Sequence, residues 1–286
     1  MDSPANFSDK TVIITGGSEG VGAATARRFA AAGARLVLVA RGKRKLEAIA
    51  EELRPQTEVR IAAMDVCDED ACVTVFRKAE YDFEHIHYLV NNAGYHARGP
   101  VEKQAPEDLA RMVDVNLKAP ILLCRLAIPY LQRAGNGAII NVASLAGRTP
   151  VPNAATYSAT KFGLRAFTFA LAEELRGTGI KLAAVSPGPI ETGFILENID
   201  QVADITFSQP LSTADEVAQV IMDLCLNEKR ERSMPPVSGL LTTLSYLFPA
   251  LGRALQPALN RRGRRVKREL KERMRGTTDA DPDPQG

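Results

Sequence analysis

Residues Thr11 to Ala32 constrain the fold of this chain more than any other stretch. Thr11-Val12-Ile13-Ile14 is a short, apolar, largely β-branched run, the composition of a strand buried on both faces of a parallel sheet. Thr15-Gly16-Gly17-Ser18-Glu19-Gly20-Val21-Gly22 follows. A helical pattern then runs from about Val21 to Ala32 and closes at Gly33-Ala34. A strand, a glycine-rich turn and a helix in that order let the backbone approach a pyrophosphate and aim the helix amides at it. The bland alternative is a tight strand-to-helix turn that binds nothing.

The same alternation continues down the chain. Strand patterns occupy Arg35–Ala40, Val59–Val66, His87–Val90, Ala138–Val142 and Ile180–Val185. Helical patterns fill about Asp68–Phe83, Glu107–Arg133 and Ala155–Arg176. Thr213-Ala214-Asp215-Glu216 has the form of a capping box and opens a helix to about Asn227. Within Glu107–Arg133, Asn116 followed by Pro120 predicts a kink where backbone groups are freed. Strands alternating with helices predict an α/β fold with a doubly wound parallel sheet, a Rossmann fold. The expected organisation is one cofactor-binding and catalytic domain over residues 1–232, a basic amphipathic helical extension over 233–275, and a disordered acidic tail over 276–286.

The second strand ends at Ala40, and Arg41-Gly42-Lys43-Arg44-Lys45 follows. An NAD-binding fold usually carries an acid there for the ribose 2′-hydroxyl. Cations without a carboxylate suit a 2′-phosphate, so NADP(H) is expected, with Arg41 and Arg44 as its ligands. The discordant residue is Glu19, which would repel that phosphate if it pointed inward. Asp65 ends the third strand and can accept from an adenine amino group. Asn91-Asn92-Ala93-Gly94 suits a hydrogen-bonded turn beside a cofactor.

Proton-transfer chemistry is readable near the middle of the chain. Ser144 sits just past the strand Ala138–Val142, and Tyr157 and Lys161 lie four apart near the start of the next helix. That spacing puts both side chains on one face. A phenol of pKa near ~10 is a poor acid or base at neutral pH. An adjacent ammonium is expected to favour the phenolate, and the Ser144 hydroxyl is placed to hold a substrate oxygen. Alone, Tyr-x-x-x-Lys is common and equally fits an ordinary amphipathic helix start.

Composition narrows the classes further. The chain has 286 residues, 45% of them apolar, enough for one large buried core. Apolar runs are far shorter than a membrane span. Met1 to Lys10 lacks the basic-then-apolar order of a signal peptide. Cys67, Cys72, Cys124 and Cys225 show no metal spacing and read as reduced thiols of a cytoplasmic protein. His85, His87 and His96 form no zinc signature, so no metal is expected. Net charge is only +2, yet Ala250 to Arg275 carries ten Lys/Arg against two Glu. A nucleic-acid role for the whole domain is therefore not suggested.

Taken together, these motifs resemble the short-chain dehydrogenase/reductase family over about Lys10 to Asn227. The resemblance rests on Thr-Gly-x-x-x-Gly-x-Gly at Thr15–Gly22, Asn91 to Gly94, Asn116, Ser144 thirteen residues before Tyr157, Tyr157 to Lys161, and Pro187-Gly188. It implies Tyr157 as general acid or base and Lys161 as the group that lowers its pKa and holds the nicotinamide ribose. It further implies that Ser144 orients the substrate oxygen, Asn116 keeps a relay water, and Thr192 binds the nicotinamide carboxamide. The implied cofactor contacts are Gly16, Ser18, Gly20, Val21, Gly22, Asp65, Val66, Asn92, Ala93, Gly94, Pro187, Gly188, Ile190 and Thr192, with Tyr157 and Lys161. Tyr95–Val101, Leu145–Asn153 and Phe194–Pro210 would line the substrate pocket.

The expected activity is NADP(H)-dependent interconversion of a secondary alcohol and a ketone, on a small and apolar substrate. Alternatives are a reductase of long-chain 3-keto lipids or steroid-like compounds, and an NADP(H) sensor without turnover. The family often ends in a Gly-rich strand at a subunit interface; here Arg232-Ser233-Met234 is stopped by Pro235-Pro236. That departure puts the usual tetramer in doubt; the expected assembly is a homodimer, built on the long helices around Asn116 and Lys161, or a tetramer. Leucines from Leu240 to Leu259, interrupted by Pro249 and Pro257, predict two or three short amphipathic helices. Their bland use is to cap the pocket or a dimer interface. The sharper one is a peripheral membrane contact backed by Arg261–Arg268.

Overall fold

The computed structural model describes residues 7–197 and 199–278. Seven strands form one sheet: β1 (Thr11–Thr15), β2 (Arg35–Ala40), β3 (Val59–Ala63), β4 (Tyr88–Asn91), β5 (Gly137–Val142), β6 (Ile180–Pro187) and β7 (Glu231–Met234). Their spatial order is β3-β2-β1-β4-β5-β6-β7, and neighbouring strands run parallel. The order reverses between β1 and β4, which opens a crevice at the carboxyl ends of the strands.

Period-two alternation divides the core between the two faces of this sheet. Val12, Ile14, Leu36, Leu38, Val90 and Ile140 belong to one buried cluster, with α1 (Gly20–Ala31), α2 (Lys43–Leu53) and α8 (Ala214–Leu226). Ile13, Val37, Val39, Leu89, Ile139 and Leu182 belong to the other, with α3 (Glu69–Phe83), α5 (Ala119–Arg133) and α6 (Ala155–Glu174). The inner strands β1, β4 and β5 are largely apolar because each face has a helix layer to bury it, whereas the edge strand β7 reads Glu-Arg-Ser-Met.

The kink expected near Asn116 is a π-helical turn, Asp114–Lys118, between α4 (Pro106–Val113) and α5. Such turns are insertions into the α-helical ladder and often sit at functional positions. The capping box of α8 is formed: Glu216 N–H donates to Thr213 Oγ1, and Thr213 N–H donates to Glu216 Oε2. β7 ends at Pro235-Pro236, as its sequence requires, and is pinned by Glu231. Arg165 donates to both Glu231 oxygens, each at 2.9 Å, and Arg148 and Ser186 also donate to this carboxylate.

The C-terminal helices depart from expectation. Two are found, α9 (Pro236–Leu247) and α10 (Pro249–Thr278), and α10 runs through Pro257 without ending. An interior proline removes one backbone hydrogen bond and crowds the preceding turn. Here the distal half of α10 is held by packing. Gly263 lies so close to Asp204 that a Cβ there would sit 1.8 Å from its carbonyl oxygen. Leu270 is buried with Ile195, Ile199, Val202 and Phe207 in a third small core, and Val266 packs against it. Residues 193–208, which lack a long periodic pattern, contain α7 (Gly193–Leu196) and two 3₁₀ turns, Ile199–Gln201 and Asp204–Ser208. The acidic tail beyond Thr278 lies outside the described residues.

Candidate active site

The glycine-rich turn connects β1 to α1, at the carboxyl edge of the sheet. Gly16 and Gly20 both have positive φ, +64° and +54°, which a side chain would strain. A Cβ on Gly22 would lie 2.0 Å from Gly16 O, so the turn closes only with glycine there. Ser18 lies inside this turn, and Val21 is in the first turn of α1. No side chain caps α1, and its first turn holds no acid. Its leading amides thus remain suited to an anion, which fits the pyrophosphate of a dinucleotide. Thr192 faces this turn, with Cγ2 3.6 Å from the point a Gly20 Cβ would occupy.

The end of β4 is tied to the same turn. Asn92 Nδ2 donates to Thr15 O and Gly16 O, each at 3.0 Å. The backbone N–H groups of Asn92 and Ala93 donate to Thr15 Oγ1. Asn92 is therefore a brace of the turn. Gly94 stands exposed beside Asn116. Pro187 ends β6, Gly188 N–H donates to Met234 O at 2.8 Å, and Ile190 bridges to Ser212.

Glu19 has a cationic partner. It pairs with Lys45 at 2.5 Å on the surface. Arg41 and Arg44 are exposed beyond Ala40, and among the described residues no carboxylate pairs with either. Asp65 is already engaged: Cys67 N–H donates to Oδ1 at 2.9 Å and Arg111 pairs with Oδ2. Burial pushes its pKa up, but these donors outweigh that and hold it below the usual carboxylate range. The Val66 side chain is buried in the core beneath β3.

Ser144, Tyr157 and Lys161 converge past the end of β5. Ser144 caps a short 3₁₀ turn, Leu145–Gly147; its Oγ accepts from Ala146 N–H at 3.1 Å and donates to Pro187 O at 3.4 Å. Lys161 is 4% exposed. Its Nζ donates to Val142 O at 2.8 Å and stands 5.7 Å from the centre of the Tyr157 ring. Burial pulls its pKa down to about 8. Burial pushes the Tyr157 phenol upward, against the neighbouring Ser144 hydroxyl and the positive charge of Arg98, both of which lower it.

Arg98 is a cation whose charge lowers the Tyr157 pKa. A buried ammonium needs an acceptor, and Val142 O supplies one on the strand side. Asn116, fully buried, spends its amide on the loop after β4: Oδ1 accepts from Tyr95 N–H and Nδ2 donates to Tyr95 O, each at 2.7 Å. Nδ2 also reaches Thr160 Oγ1 at 3.4 Å. The π turn is what aims it there.

His96 and Arg98 were not legible as site residues. His96 stacks on Tyr157, ring centres 4.1 Å apart and planes 10° apart. Burial, with the charges of Arg98 and Lys161, pulls its pKa down to about 3. Arg98 donates to Phe194 O at 2.7 Å and lies over the Phe194 ring. The only signal in the sequence was their place in Tyr95–Val101, just after Asn91–Gly94.

Residues 10–202 match the short chain dehydrogenase family. The chain belongs to that family. Within it, the chain is 38% identical over 217 residues to sulfoacetaldehyde reductase 2 of Chromohalobacter salexigens, covering 73% of this chain and 86% of that one. The crystal structure of levodione reductase aligns with a TM-score of 0.70 at 28% identity, covering 77% of this chain and 91% of that one. A short chain dehydrogenase from Mycobacterium paratuberculosis bound to NAD aligns with a TM-score of 0.74 at 23% identity, covering 82% and 99%, and shows the shared fold. The short-chain dehydrogenases are oxidoreductases, and the glycine turn and the uncapped α1 of this member fit a dinucleotide.

Proposed function

We propose that this member is an NADP(H)-dependent oxidoreductase that interconverts an alcohol and a carbonyl compound, with a secondary alcohol and a ketone as the leading pair. The observation that carries the reading is the convergence of Ser144, Tyr157 and Lys161 at the crevice beside the glycine turn. When bound, the nicotinamide supplies or takes the hydride. Tyr157 gives its phenolic proton to the carbonyl oxygen in reduction and takes it back in oxidation. Ser144 holds that oxygen in line with the phenol. Lys161 and Thr192 would hold the nicotinamide end, and Asn116 braces the loop that carries His96 and Arg98. Relatives named for reducing sulfoacetaldehyde and levodione support the carbonyl-reducing direction.

NADP(H) over NAD(H) is supported by Ala40 in place of an acid and by exposed Arg41 and Arg44. A sensor without turnover is disfavoured by the full set of Ser144, Tyr157, Lys161 and Asn116. An apolar substrate remains part of the reading, and the α9 leucines stand exposed to solvent. A homodimer through α5 and α6, in the cytoplasm, completes the proposal.

The test is a turnover screen of ketones and aldehydes of graded chain length with NADPH and with NADH. Oxidation of NADPH, roughly tenfold or more faster than NADH at equal concentration, is expected with at least one carbonyl. Tight NADPH binding with no turnover of any carbonyl would favour the sensor.

A further inference from the structure

We propose that α9 and the proximal half of α10 form a docking surface for an anionic lipid membrane. Val237, Leu240, Leu241, Leu244, Leu247 and Phe248 recur at three- and four-residue steps, so they form one stripe along α9 and its end. They are exposed, Val237 at 67%, Leu240 at 62%, Leu247 at 61% and Phe248 at 58%. Leu255 on α10 is also exposed, at 50%. Contiguous exposed apolar surface of this extent marks an interaction site.

Charge identifies the occupant. Between Pro235 and Arg268 the chain has no Asp or Glu, and it has Arg253, Arg261, Arg262, Arg264, Arg265, Lys267 and Arg268. Lys267 and Arg264 reach Asp204, and Arg265 reaches Glu269. Among the described residues, no carboxylate pairs with Arg253, Arg261, Arg262 or Arg268. An open groove along one face of α10 is lined by Arg253, Gln256, Asn260, Arg261 and Arg264, a run of donors suited to phosphate oxygens. A second copy of this face would bring cations against cations with no acid between them. An apolar stripe flanked by arginines, on a helix lying flat, fits the boundary between lipid headgroups and acyl chains. Among the described residues no helix is long and apolar enough to cross a membrane, so the contact is interfacial.

The same helix reaches the crevice from its other end. Gly263, Lys267 and Leu270 of α10 hold residues 193–208, with Lys267 Nζ donating to Val202 O at 2.7 Å. That segment carries Phe194, which is tied to Arg98 beside Tyr157. A bilayer that binds α9 and α10 therefore sets the orientation of the crevice wall. The surface itself does not depend on the role of Tyr157.

Vesicle flotation of the full chain tests the proposal. Phosphatidylcholine vesicles are compared with vesicles containing about one third phosphatidylserine. The protein is expected to float with the anionic vesicles and stay in the soluble fraction with the neutral ones. Raising salt from about 0.1 M to about 0.5 M should cut recovery several-fold. Leu240→Glu/Leu244→Glu/Leu247→Glu and Arg261→Glu/Arg262→Glu change exposed side chains and leave the melting temperature near wild type. Each should lower flotation roughly tenfold. Equal recovery in the soluble fraction with both vesicle types overturns the proposal. So does unchanged flotation of both variants, or a stripe variant that only converts a dimer to a monomer.

Discussion

The imidazole of His96 lies flat on the phenol of Tyr157, 4.1 Å between ring centres. With its pKa pulled down to about 3, His96 is neutral at working pH and acts through contact rather than charge. The stack restricts how Tyr157 can turn, so His96 is a positioning residue. His96→Ala is expected to lower kcat roughly tenfold with little change in KM, because orientation of the acid is lost while substrate contacts persist. His96→Phe should restore most of that loss. Equal loss in both variants would show that the ring stack is not what matters.

Tyr157→Phe removes only the phenolic oxygen. Turnover should fall by roughly 10³-fold, within the range of a lost general acid. NADPH affinity, followed by quenching or enhancement of its fluorescence, should stay within about threefold, since a ring of the same shape remains. Retention of a substantial part of the wild-type rate would remove Tyr157 from the chemistry.

Arg98 lowers the Tyr157 pKa by its charge. Taking away that cation disfavours the phenolate, so the phenol pKa rises. In Arg98→Gln the rate of alcohol oxidation, plotted against pH, should therefore climb at a higher pH than in wild type. Arg98→Lys should keep the wild-type position. A shared shift in both variants would point to the lost contact with Phe194 instead of the lost charge.

Lys161 is expected to cost the cofactor-free protein stability. Its folded pKa of about 8 lies below the ordinary 10.5. Between those values the unfolded chain binds more protons than the folded one, so stability rises with pH across that window. Lys161→Met abolishes this titration. It should be more stable than wild type below pH 8 and lose that advantage as pH approaches 10.5, while turnover is lost. Denaturant titrations of both proteins over that pH range read the difference directly, and a gap that does not change with pH would contradict the assignment.

Ala40→Asp places a carboxylate where a 2′-phosphate is expected. NADPH binding should weaken by about 1–3 kcal/mol while NADH binding stays the same or improves. Arg41→Ala/Arg44→Ala should weaken NADPH selectively for the complementary reason. A wild type that already prefers NADH would end the phosphate argument.

What was legible in the sequence is what acts over a few residues. β-branched runs announced the strands, glycine spacing announced the turn onto α1, and Thr213 with Glu216 announced the start of α8. Tyr157 and Lys161 were legible as neighbours because four residues make one helical turn. The kink at Asn116 was legible from Pro120, which removes a donor from the helix. Tertiary structure alone decided which groups from distant stretches meet. His96 reaches Tyr157 across 61 positions of sequence, and Arg98 reaches Phe194 across 96. Lys45 captures Glu19 across 26. The same holds for α10, which continues through Pro257 because Gly263 and Leu270 dock on residues 193–208, an outcome that no local propensity encodes. The α9 leucines show the limit from the other side. Their spacing foretold an amphipathic helix, but whether that face is covered depends on what the sheet and its helices leave within reach, and they leave it in solvent.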